Sequence, residues 1–506
     1  MELKVFRDTL SAAGSFCTVK SEIPIETEIL ISDYLPQVFK IVKCFARMVV
    51  LQKQMQAGRL NLEGYLRCIV YYQGENGQGL CQTEQKLPFS KALELPALEF
   101  SSFSAVVGGE TEYLNCRAVN QRRVEVRGAY EVAASIYTQL QQEVVTAVSD
   151  CGAEQKPAAL TGVRCLAGVD KLITADNEFA FDAVPNAILD IVGTAAVREL
   201  KVISGKVVVK GEIRAGIAYR TGDEQELKSQ QAAIPFNQIL DVEGIAEDCR
   251  CFCSVEPVGF TVAEDGAEGD GKSRLTVSAL LHLRAYRDYE VELVTDVFST
   301  RYETTVETRS IAAEQLERQL DEVVTVQAAG QLPDENARLM ACFASFGAPE
   351  IAPVDGKAML RARGVVTAFC ENSLDEIESY EKPVELLIPL ADAARSELLH
   401  AECWLSVEEV GCAVSGGMLD VTASVRVEGM VLSRCVISSV ANVTLGEQLT
   451  PADPEIALRI YYAHAGEEIF EIARRFHVSP REMRSVNSLE EETLSAGRRL
   501  LVPGVG

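Results

Sequence analysis

Residues 266–273 read GAEGDGKS and match the spacing of a phosphate-binding loop. In such a loop the backbone amides hold the phosphates, a lysine such as Lys272 contacts the terminal phosphates, and a serine such as Ser273 binds Mg²⁺. The motif needs a helix after it, because the helix N-terminus stabilises the anion. Residues 274–286 alternate instead as a strand does, and three carboxylates within 265–270 would repel phosphate. We therefore expect an acidic hairpin insertion, with a nucleotide-binding enzyme as an alternative.

Cysteine and histidine are the other residues that could carry chemistry. Cys249, Cys251 and Cys253 alternate, so in a strand their thiols would share one face. Zinc sites usually combine C-x2-C pairs with a second pair or a histidine nearby. That second half is missing from this sequence, so we interpret the three as small buried residues. The 4 histidines are scattered and suggest no catalytic grouping. We predict no catalytic residue, cofactor or metal.

The composition is that of an acidic globular protein. The chain has 506 residues, with 74 Asp and Glu against 48 Lys and Arg, for a net charge of −26. Binding nucleic acid requires basic surface, so we do not expect a nucleic-acid partner. The first residues lack a long apolar signal segment, and no run approaches the ~18 uncharged apolar residues of a membrane span. The 15 scattered cysteines suggest free, mostly buried thiols in a reducing cytoplasm.

Most of the chain is an internal repeat. Gly58, Gly205 and Gly356 recur at nearly equal intervals, and each precedes a strand-like alternation of polar and apolar residues. An apolar segment with a proline follows each of these strands, at Pro88, Pro235 and Pro389. We therefore predict a mainly β chain in which three β-rich units recur.

The repeat fixes the predicted domain organisation. We expect three homologous β-rich domains, sandwich or barrel-like, at residues 1–150, 151–303 and 304–449. Residues 450–458 are a predicted linker, and 459–506 a small α+β domain. Short helices are also expected near 33–40 and 184–191.

Residues 459–503 have the pattern of a strand, two helices and a strand. Ile469, Ile472, Ala473 and Phe476 recur at helical spacing, which gives one apolar stripe. The second helix should begin after Ser479, with proline at its first position and Glu482 completing a capping box. This segment resembles a LysM module, a small βααβ domain best known for binding N-acetylglucosamine polymers.

The resemblance implies a groove between two loops of the module. Carried over to this sequence, the groove residues are Gly466, Glu467, Glu468, Ile469, Asn487, Ser488 and Leu489. Sugar-binding LysM modules usually have Asp-Thr where this chain has Glu467-Glu468. The second carboxylate favours a basic protein surface over a glycan. The alternative is that both glutamates only cap the first helix.

The whole chain resembles sporulation-associated proteins of Clostridia that combine SPOCS (DUF3794) repeats with a C-terminal LysM domain. The motifs that carry the resemblance are the glycine-led strands, the proline segments and the LysM pattern. It implies a non-enzymatic scaffold of spore-coat morphogenesis, located in the mother-cell cytoplasm at the forespore surface. The implied partner is the stage IV sporulation coat ATPase. An alternative is a peptidoglycan-binding protein of the cortex or cell wall.

Overall fold

The computed structural model describes residues 3–33, 35–56, 58–75, 79–97, 100, 102–221, 226–264, 272–392, 395, 398–450 and 459–503. Strands account for most of these residues, and the two helices among them are short, which confirms the predicted mainly β fold class. Within these ranges, no helix has the length and apolar character needed to cross a membrane.

The first six strands form two sheets that face each other. They are β1 (Lys4–Leu30), β2 (Val38–Gln56), β3 (Arg59–Gly74), β4 (Leu80–Glu94), β5 (Ser102–Asn120) and β6 (Arg123–Ser149). One sheet has the order β1-β6-β5 and the other β2-β3-β4. Alternate residues of β3 and β6, such as Leu60, Leu62, Val124 and Val126, are fully buried between the sheets. The period-two alternation of these strands therefore builds the core.

The same arrangement recurs twice along the chain. The second set is β7 (Ala153–Ala180), β8 (Pro185–Ile203), β9 (Lys206–Thr221), β10 (Glu226–Asp241), β11 (Arg250–Glu264) and β12 (Lys272–Ser299). The third set is β13 (Tyr302–Gln331), β14 (Arg338–Phe346), β15 (Glu350–Val354), β16 (Lys357–Glu371), β17 (Ile377–Asp392), β18 (Leu399–Ser415) and β19 (Met418–Gln448). We call the three sets the first, second and third sandwich.

Strand order is the same in each sandwich. The orders β11-β12-β7 and β18-β19-β13 repeat β5-β6-β1, and each sandwich has its own apolar core. Gly58, Gly205 and Gly356 precede β3, β9 and β16 with φ of +79°, +77° and +76°. Residues with a Cβ rarely adopt this conformation, which explains why the glycine recurs. The domain boundaries drawn from the sequence remain predictions.

The longest strands extend beyond their sandwiches as paired ribbons. β1 with β6, β7 with β12 and β13 with β19 are each antiparallel pairs. The outer parts of all three ribbons pack together, and a bridge between Glu314 and Val163 joins β13 to β7. Two apolar clusters shared by the ribbons contain Leu10, Val144, Leu160, Leu293, Ile311, Val148, Val297 and Val443. The ribbons thus form a common core that joins the three sandwiches.

Two expectations about local structure are wrong. The helices predicted near 33–40 and 184–191 are absent from the described residues, where β2 begins at Val38 and β8 at Pro185. Both strands pair along nearly their whole length with β3 and β9. Pairing and burial in a sheet outweigh the weak helical preference of these short segments.

A disulfide joins Cys44 of β2 to Cys116 of β5 and links the two sheets of the first sandwich. The expectation that the cysteines are thiols is therefore wrong for this pair. Elsewhere burial keeps a thiol protonated and therefore less reactive. It raises the pKa of Cys68 to about 11.

Residues 459–503 form a separate small unit with its own core, which we call the βααβ unit. It consists of β20 (Arg459–Ala463), α1 (Ile469–Phe476), α2 (Pro480–Asn487) and β21 (Arg498–Val502), as predicted. Ile472, Ala473, Met483 and Leu500 are almost completely buried in it. Ser479 is the N-cap of α2, but its side chain makes no capping hydrogen bond within the described part of the unit. The predicted start of α2 is therefore confirmed, whereas neither side-chain hydrogen bond of the predicted capping box occurs among the described residues.

Candidate functional site

The loop before α1 turns at Gly466, whose φ is +89°. The Glu467 carboxylate folds back onto this turn and accepts hydrogen bonds from the His464 amide at 2.8 Å and the Tyr461 hydroxyl at 2.7 Å. These bonds, the His464 amide foremost, lower the pKa of Glu467. Glu467 is therefore an ionised side chain that is held in place by its own loop.

The loop after α2 is built around Asn487. Its side-chain oxygen accepts from the Leu501 amide at 2.7 Å, and its nitrogen donates to the carbonyls of Leu501 and Met483 at 2.7 and 2.8 Å. These bonds tie the end of α2 to β21. Ser488 follows as the exposed C-cap residue with φ of +50°, and Leu489 returns to the core.

Backbone hydrogen bonds join the two loops directly. The Gly466 amide donates to the Leu494 carbonyl at 2.7 Å, and the Leu494 amide donates to the Glu467 carbonyl at 2.9 Å. The Ile469 amide donates to the Glu492 carbonyl at 2.8 Å. The structure therefore brings the two predicted groove loops side by side, with these three amides already engaged.

The seven predicted groove residues differ in what they can offer a ligand. Ile469 and Leu489 are buried in the core of the unit, and Asn487 is engaged by backbone groups. The other four are accessible, and we call them the rim: Glu467 and Glu468 are half-buried, and Gly466 and Ser488 are exposed.

One face of the βααβ unit packs against the tip of the ribbons. The Phe470 ring contacts the Phe298 ring edge to face, with centroids 5.2 Å apart. Lys156 forms an ion pair with Glu468, one of the predicted groove residues. Two further pairs join the unit to the ribbons: Asp296 pairs with Arg474, and the His477 ring nitrogen lies 3.2 Å from the Ser299 carbonyl oxygen. Sequence reasoning missed this contact, because the residues of each pair are far apart in the chain.

Three ranges of the chain match two known domain families. Residues 464–503 match the LysM domain, and residues 37–119 and 186–262 match the SipL, SPOCS domain. The chain contains SPOCS domains and a LysM domain. This confirms the resemblance drawn from the sequence. No curated protein and no solved structure matches the chain.

The SPOCS matches fall on equivalent parts of two sandwiches. The first runs from β2 into β5 and the second from β8 into β11. Both therefore include a complete three-stranded sheet and most of an edge strand of the facing sheet. SPOCS and LysM domains are binding-type domains, and together they characterise a sporulation-related protein with a LysM binding module.

The phosphate-loop motif is in the wrong context for nucleotide binding. Residues 265–271 lie outside the described residues, but Lys272 begins β12 and pairs with Ala180 of β7. Ser273 is 7 % exposed within this strand. A phosphate loop requires a helix at this point, because the helix N-terminus stabilises the bound anion. Here a strand begins instead, so that N-terminus is not available.

We expect Mg-ATP to leave the melting temperature of both the wild-type chain and Lys272→Ala unchanged, because the chain should bind no Mg-ATP at this loop. The measurement is the melting temperature of the wild-type chain and the variant with and without millimolar Mg-ATP. A bound ligand raises the melting temperature by mass action. An Mg-ATP-dependent rise in the wild type that disappears in the variant would contradict this prediction.

A buried ionic cluster lies where the sandwiches meet, and sequence reasoning missed it. Asp170 of β7 accepts hydrogen bonds from His282 at 2.8 Å and Arg284 at 3.0 Å, and Lys53 of β2 lies 2.9 Å from its other oxygen. Arg284 is 3 % exposed. Lys53 belongs to the first sandwich and the other three to the second, so the cluster is an ionic link between repeats.

A second buried carboxylate extends the link to the third sandwich. Glu402 of β18 accepts hydrogen bonds from Tyr286 at 2.5 Å and Ser104 at 3.2 Å. Burial raises the pKa of Glu402, with the Arg284 charge opposing that effect. Donors from the first and second sandwiches thus hold a carboxylate of the third. Each of these contacts has a structural role, and a group this deeply buried is poorly placed to meet a substrate.

Proposed function

We propose that this chain is a non-enzymatic scaffold of the spore coat that works in the mother-cell cytoplasm at the forespore surface. In this proposal the LysM domain binds a protein partner, the stage IV sporulation coat ATPase. The observation that supports it best is the acidic rim of the LysM loops, formed by Glu467 and Glu468.

The chemistry of the rim favours a basic protein surface over a glycan. A neutral sugar is recognised through hydrogen-bond donors and acceptors, yet the amides of Gly466, Ile469 and Leu494 are already engaged between the loops. The lowered pKa of Glu467 keeps that carboxylate charged. Complementary charge on a partner would add specificity and speed association.

The SPOCS sandwiches suit the same role. Three similar units joined by a common core present several separate surfaces to other coat components. Weak contacts on such surfaces gain strength when they are linked, because each later contact becomes intramolecular.

The direct test is a titration of the full chain against the purified coat ATPase by biolayer interferometry. We expect saturable binding that Glu468→Lys weakens. Glu482→Lys makes the same charge change in α2 at an exposed position away from the rim and serves as the control. Lack of any complex at tens of micromolar would contradict the proposal.

Lys156→Ala should tighten partner binding about 1.4- to 5-fold. Lys156 forms an ion pair with Glu468 and so competes with a partner for that carboxylate. Each of the two side chains is 38 % exposed. Its removal frees a carboxylate of the rim, and exposed pairs contribute only about 0.2–1 kcal/mol. The measurement is the same titration, with the dissociation constants compared.

Lys4→Ala is the matched control, because Lys4 also forms an exposed ion pair, with Asp150 at 3.0 Å. It should leave the dissociation constant unchanged. Weaker binding by the Lys156 variant would contradict the prediction and would mean that the partner requires the docked LysM domain.

Peptidoglycan is the second candidate ligand, and the LysM match itself is the observation in its favour. This candidate predicts that the full chain sediments with insoluble peptidoglycan. It also predicts that Glu467→Asp combined with Glu468→Thr, which restores the residues usual in sugar-binding modules, strengthens that sedimentation.

A further inference from the structure

The disulfide of the first sandwich has an unlinked counterpart in the third. Cys44 of β2 lies opposite Val70 of β3, and Cys342 of β14 lies opposite Ala368 of β16. Val70 and Ala368 are both fully buried in the cores of their sandwiches. Cys342 therefore occupies in the third sandwich the position that Cys44 occupies in the first.

The second cysteine of each pair is also equivalent. Cys116 lies opposite Val126, the fourth residue of β6, and Cys412 lies opposite Val421, the fourth residue of β19. β14 packs against β18 as β2 packs against β5. In both sandwiches the two cysteines thus face each other from opposite sheets at the same place.

The second sandwich has apolar residues at these two positions. Ile191 lies opposite Ile217, and Val262 lies opposite Leu275, the fourth residue of β12. Both Ile191 and Val262 pack against the core. The fold therefore forms without sulfur at this place, so the two cysteine pairs are additions to it.

The two thiols of the third sandwich lie close together. The Cys342 thiol donates a hydrogen bond to the Val410 carbonyl oxygen at 3.9 Å, two residues before Cys412, and both thiols are half-buried. The neighbouring Cys412 side chain lowers the pKa of Cys342. A thiolate is the attacking species in disulfide chemistry, so Cys342 is the better nucleophile of the two.

We propose that Cys342 and Cys412 are a redox-modification site that a low-molecular-weight disulfide, such as oxidised glutathione, closes into an inter-sheet disulfide. The Cys342 thiolate attacks one glutathione sulfur, which forms a mixed disulfide and releases one glutathione thiolate. The Cys412 thiolate then attacks the Cys342 sulfur and releases the second glutathione. Two cysteine thiols are oxidised, one glutathione disulfide is reduced to two thiols, and the two cysteine protons pass to the leaving thiolates.

The test uses the full chain, reduced with dithiothreitol, desalted without oxygen and exposed to oxidised glutathione at about pH 8, near the ordinary thiol pKa. Remaining thiols are alkylated in guanidinium, and the peptides are mapped by mass spectrometry. Trypsin followed by a glutamate-specific protease separates Cys412 from Cys403, because Glu408 and Glu409 lie between them. The wild-type map alone decides the question, whether or not any variant folds.

We expect a Cys342–Cys412 linked peptide in the wild type and in Cys370→Ala, which removes a neighbouring buried thiol. Cys342→Ser should abolish that peptide and leave the Cys44–Cys116 link intact. The proposal is overturned if Cys342 and Cys412 are both recovered alkylated once Cys44 and Cys116 have linked. Glutathione that stays on Cys342 without transfer to Cys412 would also overturn it.

Discussion

Asp170→Asn should lower the free energy of unfolding around the junction of the sandwiches by about 3–5 kcal/mol. The substitution keeps the shape of the side chain but leaves Lys53 and Arg284, which are 12 % and 3 % exposed, without their carboxylate. The measurement is urea denaturation followed by the fluorescence of Trp404, the only tryptophan. Its ring stacks on His282 and lies 5.3 Å from the Arg284 guanidinium, so its emission reports on this cluster.

Asp288→Asn is the matched control for this substitution. Asp288 also holds an arginine, Arg250 at 2.8 Å, but both side chains are about half exposed. Exposed pairs contribute about 0–1 kcal/mol, so the control should lose little stability. Equal losses in the two variants would contradict the assignment of Asp170 to a buried ionic link.

The effect of Asp170 should also depend on pH with a defined sign. Burial alone would raise its pKa, but the hydrogen bond from His282 and the charges of Lys53 and Arg284 hold the pKa well below its usual range. A depressed carboxyl pKa stabilises the fold above the unfolded value of about 3.9, and that stabilisation is lost as the pH falls below it. The difference between wild type and Asp170→Asn should therefore be largest near neutral pH and shrink below about pH 4.

Asn487→Ala should unfold the LysM domain while leaving the sandwiches intact. The change leaves the amide and carbonyl of Leu501 without their side-chain partner, at a cost of about 2–4 kcal/mol. A domain of this size has a total stability of about 2–7 kcal/mol, so much of it would be lost. Limited trypsin proteolysis should show faster cleavage at the arginines of α1 and α2, with loss of partner binding in parallel.

Ser485→Ala is the control, because Ser485 is an exposed residue of the same helix. It should leave both proteolysis and partner binding unchanged. If Asn487→Ala abolished partner binding while its trypsin resistance stayed at the wild-type level, Asn487 would be a contact residue, and the structural role assigned to it would be wrong.

Sequence patterns predicted the parts of the fold that local chemistry determines. The glycines Gly58, Gly205 and Gly356 marked the repeat, because each occupies a turn with positive φ that other residues avoid. The apolar stripe of α1 and the proline at the start of α2 predicted both helices of the LysM domain. These signals lie within a few residues of each other, so they are readable without knowledge of tertiary structure.

The contacts that decide the site depend on residues far apart in sequence. Lys156 and Glu468 meet only because the LysM domain packs on the ribbons, and Asp170 meets Lys53 only because the first and second sandwiches pack against each other. The predicted groove stays a prediction, and one of its residues shows the same dependence on distant parts of the chain. Asn487 has a side chain that suits a ligand, and only the position of β21 reveals that its amide serves the backbone.

The position of the LysM domain at the ribbon tip gives the molecule a polarity. β13 runs from this tip into the third sandwich over 30 residues, a rise of up to about 100 Å at the spacing of an extended strand. A layer that held these molecules by their LysM domains would place every sandwich on its far side, at a distance set by ribbon length. Shortening the ribbons would then make such a layer thinner without changing the binding surfaces of the LysM domain or of the sandwiches.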